Sequence, residues 1–245
     1  MFFHKKALIQ NVKIGEPNPR FAQLLLEQFG GATGELTAAM QYWVQSFHCD
    51  DAGIRDMLQD IAVEELGHLE MVGRLIEAHT RGAGRNQAYD STLFAVRGLG
   101  PHFVDSNGVS WTASYVNEGG HVVRDLRADI AAEAGARQTY EALIKVCPDE
   151  ESKRALVHLL TREISHTNMF MKALDSLGEL TEPMFGDVEP DNTVDLYFDL
   201  SKDGGAAAPR GPWNSQPDFR YVEDPQPSAT PSHSVPEPDP SQVRH

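Results

Sequence analysis

Through most of the first 180 residues, apolar side chains return every three or four positions, the spacing that lays them along one side of an α-helix. Four long helical segments follow from it. They run from about Arg20 to Phe47, from just after Asp50-Asp51 to about His79, from about Gly120 to Val146, and from Asp149 to about Leu177. Pro148 followed by Asp149, Glu150 and Glu151 predicts a helix start, with acids at the positive end of the helix dipole, and Gly178 predicts a stop. A sustained period of two, the mark of strands, is missing, although LFAVRG (Leu93 to Gly98) could form a short strand.

The links after the first and third segments are short, so each joins an antiparallel pair. The link from about Thr80 to Gly119 is long, Gly-rich and mixed in pattern. Two hairpins joined by one long crossover predict an all-α protein, a ferritin-like four-helix bundle. Residues 181–245 break the pattern: they hold 11 of the 15 prolines, and their acids outnumber their bases. The expected division is a bundle over 1–180 and an extended Pro-rich acidic arm over 181–245, disordered from about residue 226. Tyr197, Phe198, Trp213, Phe219 and Tyr221 suggest that the arm lies on a surface, its own bundle or a neighbouring subunit.

Polar residues interrupt the apolar stripes at a few places only. The second segment reads Ile54, Leu58, Ile61, then Glu65 and His68, then Val72 and Leu75. The fourth reads Leu156, Leu159, then Glu163 and His166, then Phe170 and Leu174. The third carries Glu133 on its stripe and the first carries Glu35. Residues at i and i+3 share a helix face, so each Glu-x-x-His pair can reach one point. Glu64 and Glu70 fall off the stripe and are expected in solvent. Glu118-Gly-Gly-His121 has the same spacing, but its paired glycines predict a loop.

Ionised carboxylates in an apolar interior must be paired, neutralised or metal-bound. The stripes hold almost no arginine, Arg137 being the nearest. Four carboxylates and two imidazoles meeting in a bundle suit a pair of metal ions, manganese or iron alike. Such a centre fits a redox enzyme, a di-iron oxidase or ferroxidase among them, or a coat or cage component that keeps metals for stability. Cys49 and Cys147 form neither a disulfide framework nor a C-x-x-C pair, and the remaining histidines read as surface or structural groups. The net charge of −15 argues against nucleic acid and anionic membranes as partners. The chain offers neither a leader-like start nor a membrane-length apolar run, and a cytoplasmic protein is expected.

GGATGEL, EELGHLEMV, AAEAGARQTYE, LLTREISHTNMFMKAL and RGPWN together resemble the manganese catalases, over most of residues 1–225. The resemblance implies two manganese ions, held by Glu35, Glu65, His68, Glu133 and His166 with Glu65 as the bridge. It implies hydrogen peroxide as the substrate, disproportionated to water and dioxygen. Glu163 would be the acid/base beside the metals, and Tyr42 would orient Glu35. It further implies a homohexamer with arms on neighbouring subunits, and a calcium ion at Asp56 and Asp60 to which Asn214 could contribute. Ala132 departs from members that carry an arginine there, so access to the metals is expected to be more open or lined differently.

Overall fold

The structure is a computed structural model that describes residues 5–83, 91–198, 200, 211–214 and 220–222. Its helices are α1 (Pro19–Gly30), α2 (Glu35–Ser46), α3 (Ala52–Arg81), α4 (Thr92–Arg97), α5 (Val122–Val146) and α6 (Glu150–Ser176). Aspartates start the two longest: Asp51 accepts the Ile54 N–H and Asp149 accepts the Ser152 N–H, each at 2.9 Å. Such caps stabilise a helix by roughly 1 kcal/mol. Gly178 ends the last helix with a φ of 75°, as expected of a stop.

The first predicted segment is two helices rather than one. A Cβ on Gly30 would lie 2.7 Å from the backbone N and O of Val104, so the crossover can lie against the chain only at a glycine. The turn that follows is held by Gly34 N–H on Gly31 O and by the Thr37 hydroxyl on Gly31 O. It restarts the helix at Glu35. The predicted strand at Leu93 is also corrected: Thr92–Arg97 is helical, stopped by Gly98 at φ 97°, and buries Phe94 against the bundle.

α2 packs against α3 and α5 against α6, the hairpins expected from the short links. Their stripes make two apolar clusters. One holds Phe21, Leu25, Met71, Leu75, Phe94, Tyr140, Leu156 and Leu159. The other holds Tyr42, Ile54, Leu58, Ile61, Leu126, Phe170 and Leu174. Along α3 the chain passes from the second cluster to the first, and along α6 the reverse. Between them, on both helices, come the Glu-x-x-His residues, so the polar centre is sealed by apolar packing at both ends. His79 is fully buried, accepting the Asn18 N–H at 3.1 Å and meeting the Ser152 hydroxyl at 3.0 Å, a structural role.

The chain divides into two compact units, Met1–Phe185 and Gly186–His245. In the first, Arg127 of α5 donates to the carbonyls of Glu179, Glu182 and Pro183 and lies 5.3 Å over the Phe185 ring. In the second, strands β1 (Leu196–Phe198) and β2 (Arg220–Val222) pair in parallel, Tyr197 opposite Tyr221. The expectation of disorder from residue 226 lies outside the described residues.

Candidate metal centre

Glu35 occupies the first position of α2; Glu65 and His68 sit in mid-α3, Glu133 in mid-α5, and Glu163 and His166 in mid-α6. All six side chains are buried, none more than 1% exposed. Glu118 and His121 are exposed and lie in the loop ahead of α5, as expected.

Glu65 is the hub. Its Oε2 lies 2.7 Å from His68 Nδ1, and its Oε1 lies 2.7 Å from His166 Nδ1. The second contact lacks hydrogen-bond alignment: both atoms are buried and unpartnered. Glu35 Oε2 is 3.6 Å from His68 Nδ1, and Glu133 Oε1 is 3.6 Å from His166 Nδ1. Glu163 Oε1 is 3.8 Å from His68 Nδ1, and neither of its oxygens has a hydrogen-bond partner. Ligand-type atoms fall into two groups, Glu35–Glu65–His68–Glu163 and Glu65–Glu133–Glu163–His166, each within 4.8 Å of one another. Buried polar atoms that approach without bonding suit a common third atom, so each of the two groups, which share Glu65 and Glu163, has a donor set that fits a cation.

The electrostatics agree. Burial, then the charge of Glu65, pushes the Glu35 carboxyl up to about 8. Burial, then Glu65, Glu35 and Glu133, raises Glu163 well above the carboxylate range. Burial also opposes a charged His166, but Glu133, Glu64 and Glu65 outweigh it and bring the imidazole up to about 11. Glu65 itself stays below its usual range despite burial, because His68 and His166 face it. Without metal the centre balances its charge with protons, which is the balance metal ions would take over.

Some placements differ from the reading of the sequence. The Tyr42 hydroxyl donates to Glu133, at 2.6 Å, and not to Glu35; Tyr140 donates to Glu35 instead. Tyr42 stands seven residues along the same helix from Glu35, about two turns on, which carries its hydroxyl beyond that glutamate and against the other hairpin. Tyr140 gives no signal in the sequence, because an aromatic on an apolar stripe reads as core. Glu64 is not free in solvent: its carboxylate accepts from Arg162 Nε at 2.6 Å and faces both imidazoles. Arg137 is exposed and pairs with Glu141, so it neutralises nothing inside. Ala132 is half-buried, one residue from Glu133. Asp56 and Asp60 are exposed on α3, and the side chain of Asn214, at the end of a 3-10 turn, lies outside the described residues.

These positions repeat. Glu35, Tyr42, Glu65, His68 and Asp51 recur as Glu133, Tyr140, Glu163, His166 and Asp149, each 98 residues on, the same separation as the Glu64–Arg162 pair. The bundle is two like hairpins around one centre.

The sequence model of one family, described as manganese containing catalase, matches residues 1–243. The chain belongs to the manganese catalase family. Among manganese catalases of known structure it is similar to the Anabaena enzyme KatB. The two share 72% identity and a TM-score of 0.87, over 92% of this chain and all of the other. A probable manganese catalase of Clostridium acetobutylicum is 38% identical, over 96% of this chain and 99% of its own length. Protein CotJC of Bacillus subtilis is 38% identical over 73% of this chain and 96% of its own. In this manganese catalase no described helix is long and apolar enough to cross a membrane.

Proposed function

We propose that this chain disproportionates two molecules of hydrogen peroxide to two of water and one of dioxygen at a pair of manganese ions. The ligands in this reading are Glu35, Glu65 and His68 for one ion and Glu65, Glu133 and His166 for the other. The observation that carries it is Glu65, with one oxygen 2.7 Å from each Nδ1 and one of those contacts unbonded. The bound pair would supply two electrons, taken up from one peroxide and given to the next, by moving between the 2+ and 3+ states.

The side chains handle protons and position. Peroxide releases protons when it is oxidised and needs them when it is reduced. Glu163, buried and unpartnered at both oxygens, supports the role of a carboxyl that takes a proton at Oε in one half and returns it in the other. Tyr140 holds Glu35 Oε1 and leaves Oε2 facing His68, while Tyr42 holds the Glu133 oxygen that faces His166; each hydroxyl restrains one carboxylate. The apolar clusters on both sides exclude water and bulky reductants while a small neutral peroxide can enter.

The test is dioxygen evolution by wild type and Glu163→Ala at equal manganese content. The variant is expected to keep its metals and lose most activity. If it loses manganese instead, Glu163 is a ligand. An iron-loaded protein that consumes dioxygen but leaves peroxide untouched would overturn the catalase reading in favour of a di-iron oxidase.

The same reading includes a cytoplasmic homohexamer whose arms contact neighbouring subunits. Val63, Leu66, Val157, Ile164 and Met171, exposed on α3 and α6, support assembly, and native mass measures it. Calcium at Asp56 and Asp60 is the lesser part: two exposed carboxylates four residues apart need oxygens from elsewhere to make a site.

A further inference from the structure

The two histidines point both ways. Their Nδ1 atoms face the carboxylate hub, and their rings stack at 5.6 Å with 21° between planes. Their Nε2 atoms face outward, where both are buried without a hydrogen-bond partner. One side chain reaches the two of them: Glu64 Oε1 is 3.4 Å from His68 Nε2, and Oε2 is 3.3 Å from His166 Nε2. Those are ion-pair distances rather than aligned hydrogen bonds, and a small turn of the carboxylate brings either oxygen onto its N–H.

We propose that Glu64, clamped by Arg162, is the positioning residue for both histidines of the metal centre. This rests on the ligand reading above. A histidine that binds metal through Nδ1 must carry its proton on Nε2, and a buried N–H needs an acceptor. Glu64 supplies one oxygen to each ring, which fixes both tautomers and both ring planes with one residue. Arg162 donates to Glu64 from Nε at 2.6 Å and from a terminal nitrogen at 3.4 Å, a fork that sets the carboxylate plane. The clamp side chains are 26% and 32% exposed, so water reaches this outer side while the hub stays dry.

The residue types follow from the repeat. Positions 64 and 162 are equivalent in the two hairpins and meet each other. Two acids there would repel, and two arginines would offer the imidazoles no acceptor. One of each gives the histidines a carboxylate whose charge is balanced.

Glu64→Gln, Glu64→Ala, Glu64→Asp and Glu65→Gln are compared by manganese competition against a chelator, by electron paramagnetic resonance of the loaded protein, and by melting of the metal-free protein. Glu64→Gln and Glu64→Ala are expected to fold, to bind manganese about ten- to a hundredfold more weakly, and to show an altered manganese signal. Glu64→Asp, which keeps a carboxylate, should recover much of the affinity. Wild-type affinity and signal in Glu64→Gln or Glu64→Ala, with Glu65→Gln losing manganese, overturn the proposal and leave the ligand reading intact. Wild-type binding in Glu65→Gln overturns the ligand reading itself.

Discussion

The Tyr42 hydroxyl reaches across the bundle to Glu133, 91 residues away, at 2.6 Å, and Tyr140 answers it by donating to Glu35. Each hairpin thus steadies the outer glutamate of the other. Removing either hydroxyl leaves a buried carboxylate short of a donor, a loss of about 1.5–3 kcal/mol. Tyr42→Phe and Tyr140→Phe should therefore behave alike, each lowering the melting temperature and weakening manganese binding. Melts of the metal-free proteins and chelator competition check this; a neutral Tyr140→Phe would show that the crossing is not functional.

The reciprocity was only half legible. Periodicity placed Glu35, Glu65, His68, Glu133, Glu163 and His166 on buried stripes, because charged residues where leucines belong are conspicuous. Tyr140 carried no such signal, since an aromatic on an apolar stripe is ordinary core. Glu64 is hidden for the opposite reason: it lies off the stripe, and its partner Arg162 is 98 residues away, invisible to any local pattern. Aligning EELGH with REISH would have exposed it, by showing an acid and a base at equivalent places. The break at Gly31 is hidden because helical spacing continues through both halves; the glycines answer to close backbone approaches, of Val104 at Gly30, Glu27 at Gly31 and Gln28 at Gly34.

Protonation of the metal-free centre sets a stability slope. Glu35 rises from 4.5 to about 8 and His166 from 6.5 to about 11, with Glu163 and His68 also raised. Above pH 6.5 the unfolded chain has released protons that the folded centre still holds, so stability falls as pH rises toward 8. Manganese displaces those protons, so its apparent affinity should climb over the same range. Urea midpoints of the metal-free protein at both ends of the window and manganese titrations test the two slopes together. A flat pair of curves would falsify the proton-filled centre.

Asp129 is fully buried one turn before Glu133. Gln41 and Gln45 both donate to its Oδ1 at 2.8 Å, while Oδ2 has no partner. Burial raises its carboxyl from 3.8 to about 8, against the pull of the two amides. Its contribution to stability is present below pH 3.8 and is lost as pH rises to about 8, since the unfolded chain ionises first. Asp129→Asn keeps the shape and removes the titration. The variant should gain on wild type as pH increases through that window, read from denaturation curves of both metal-free proteins. A gap that does not change with pH would mean Asp129 is charged inside.

Gly30→Ala tests the crossover. The added methyl would meet the Val104 backbone at 2.7 Å, and backbone cannot yield as a side-chain tip can. A destabilisation of about 1–3 kcal/mol is expected from such overpacking, measured by thermal melting. An unchanged melting temperature would mean that residues 103–104 are free to shift.

The pairing of Glu64 with Arg162 carries a further consequence. A symmetric dimer of two identical hairpins could assemble the same hub of glutamates and histidines, because isologous contact would duplicate every one of them. It could not make this pair, since position 64 would meet its own copy and set like charges face to face. Joining the hairpins in one chain lets the axis carry opposite charges, and so gives two imidazoles one shared acceptor.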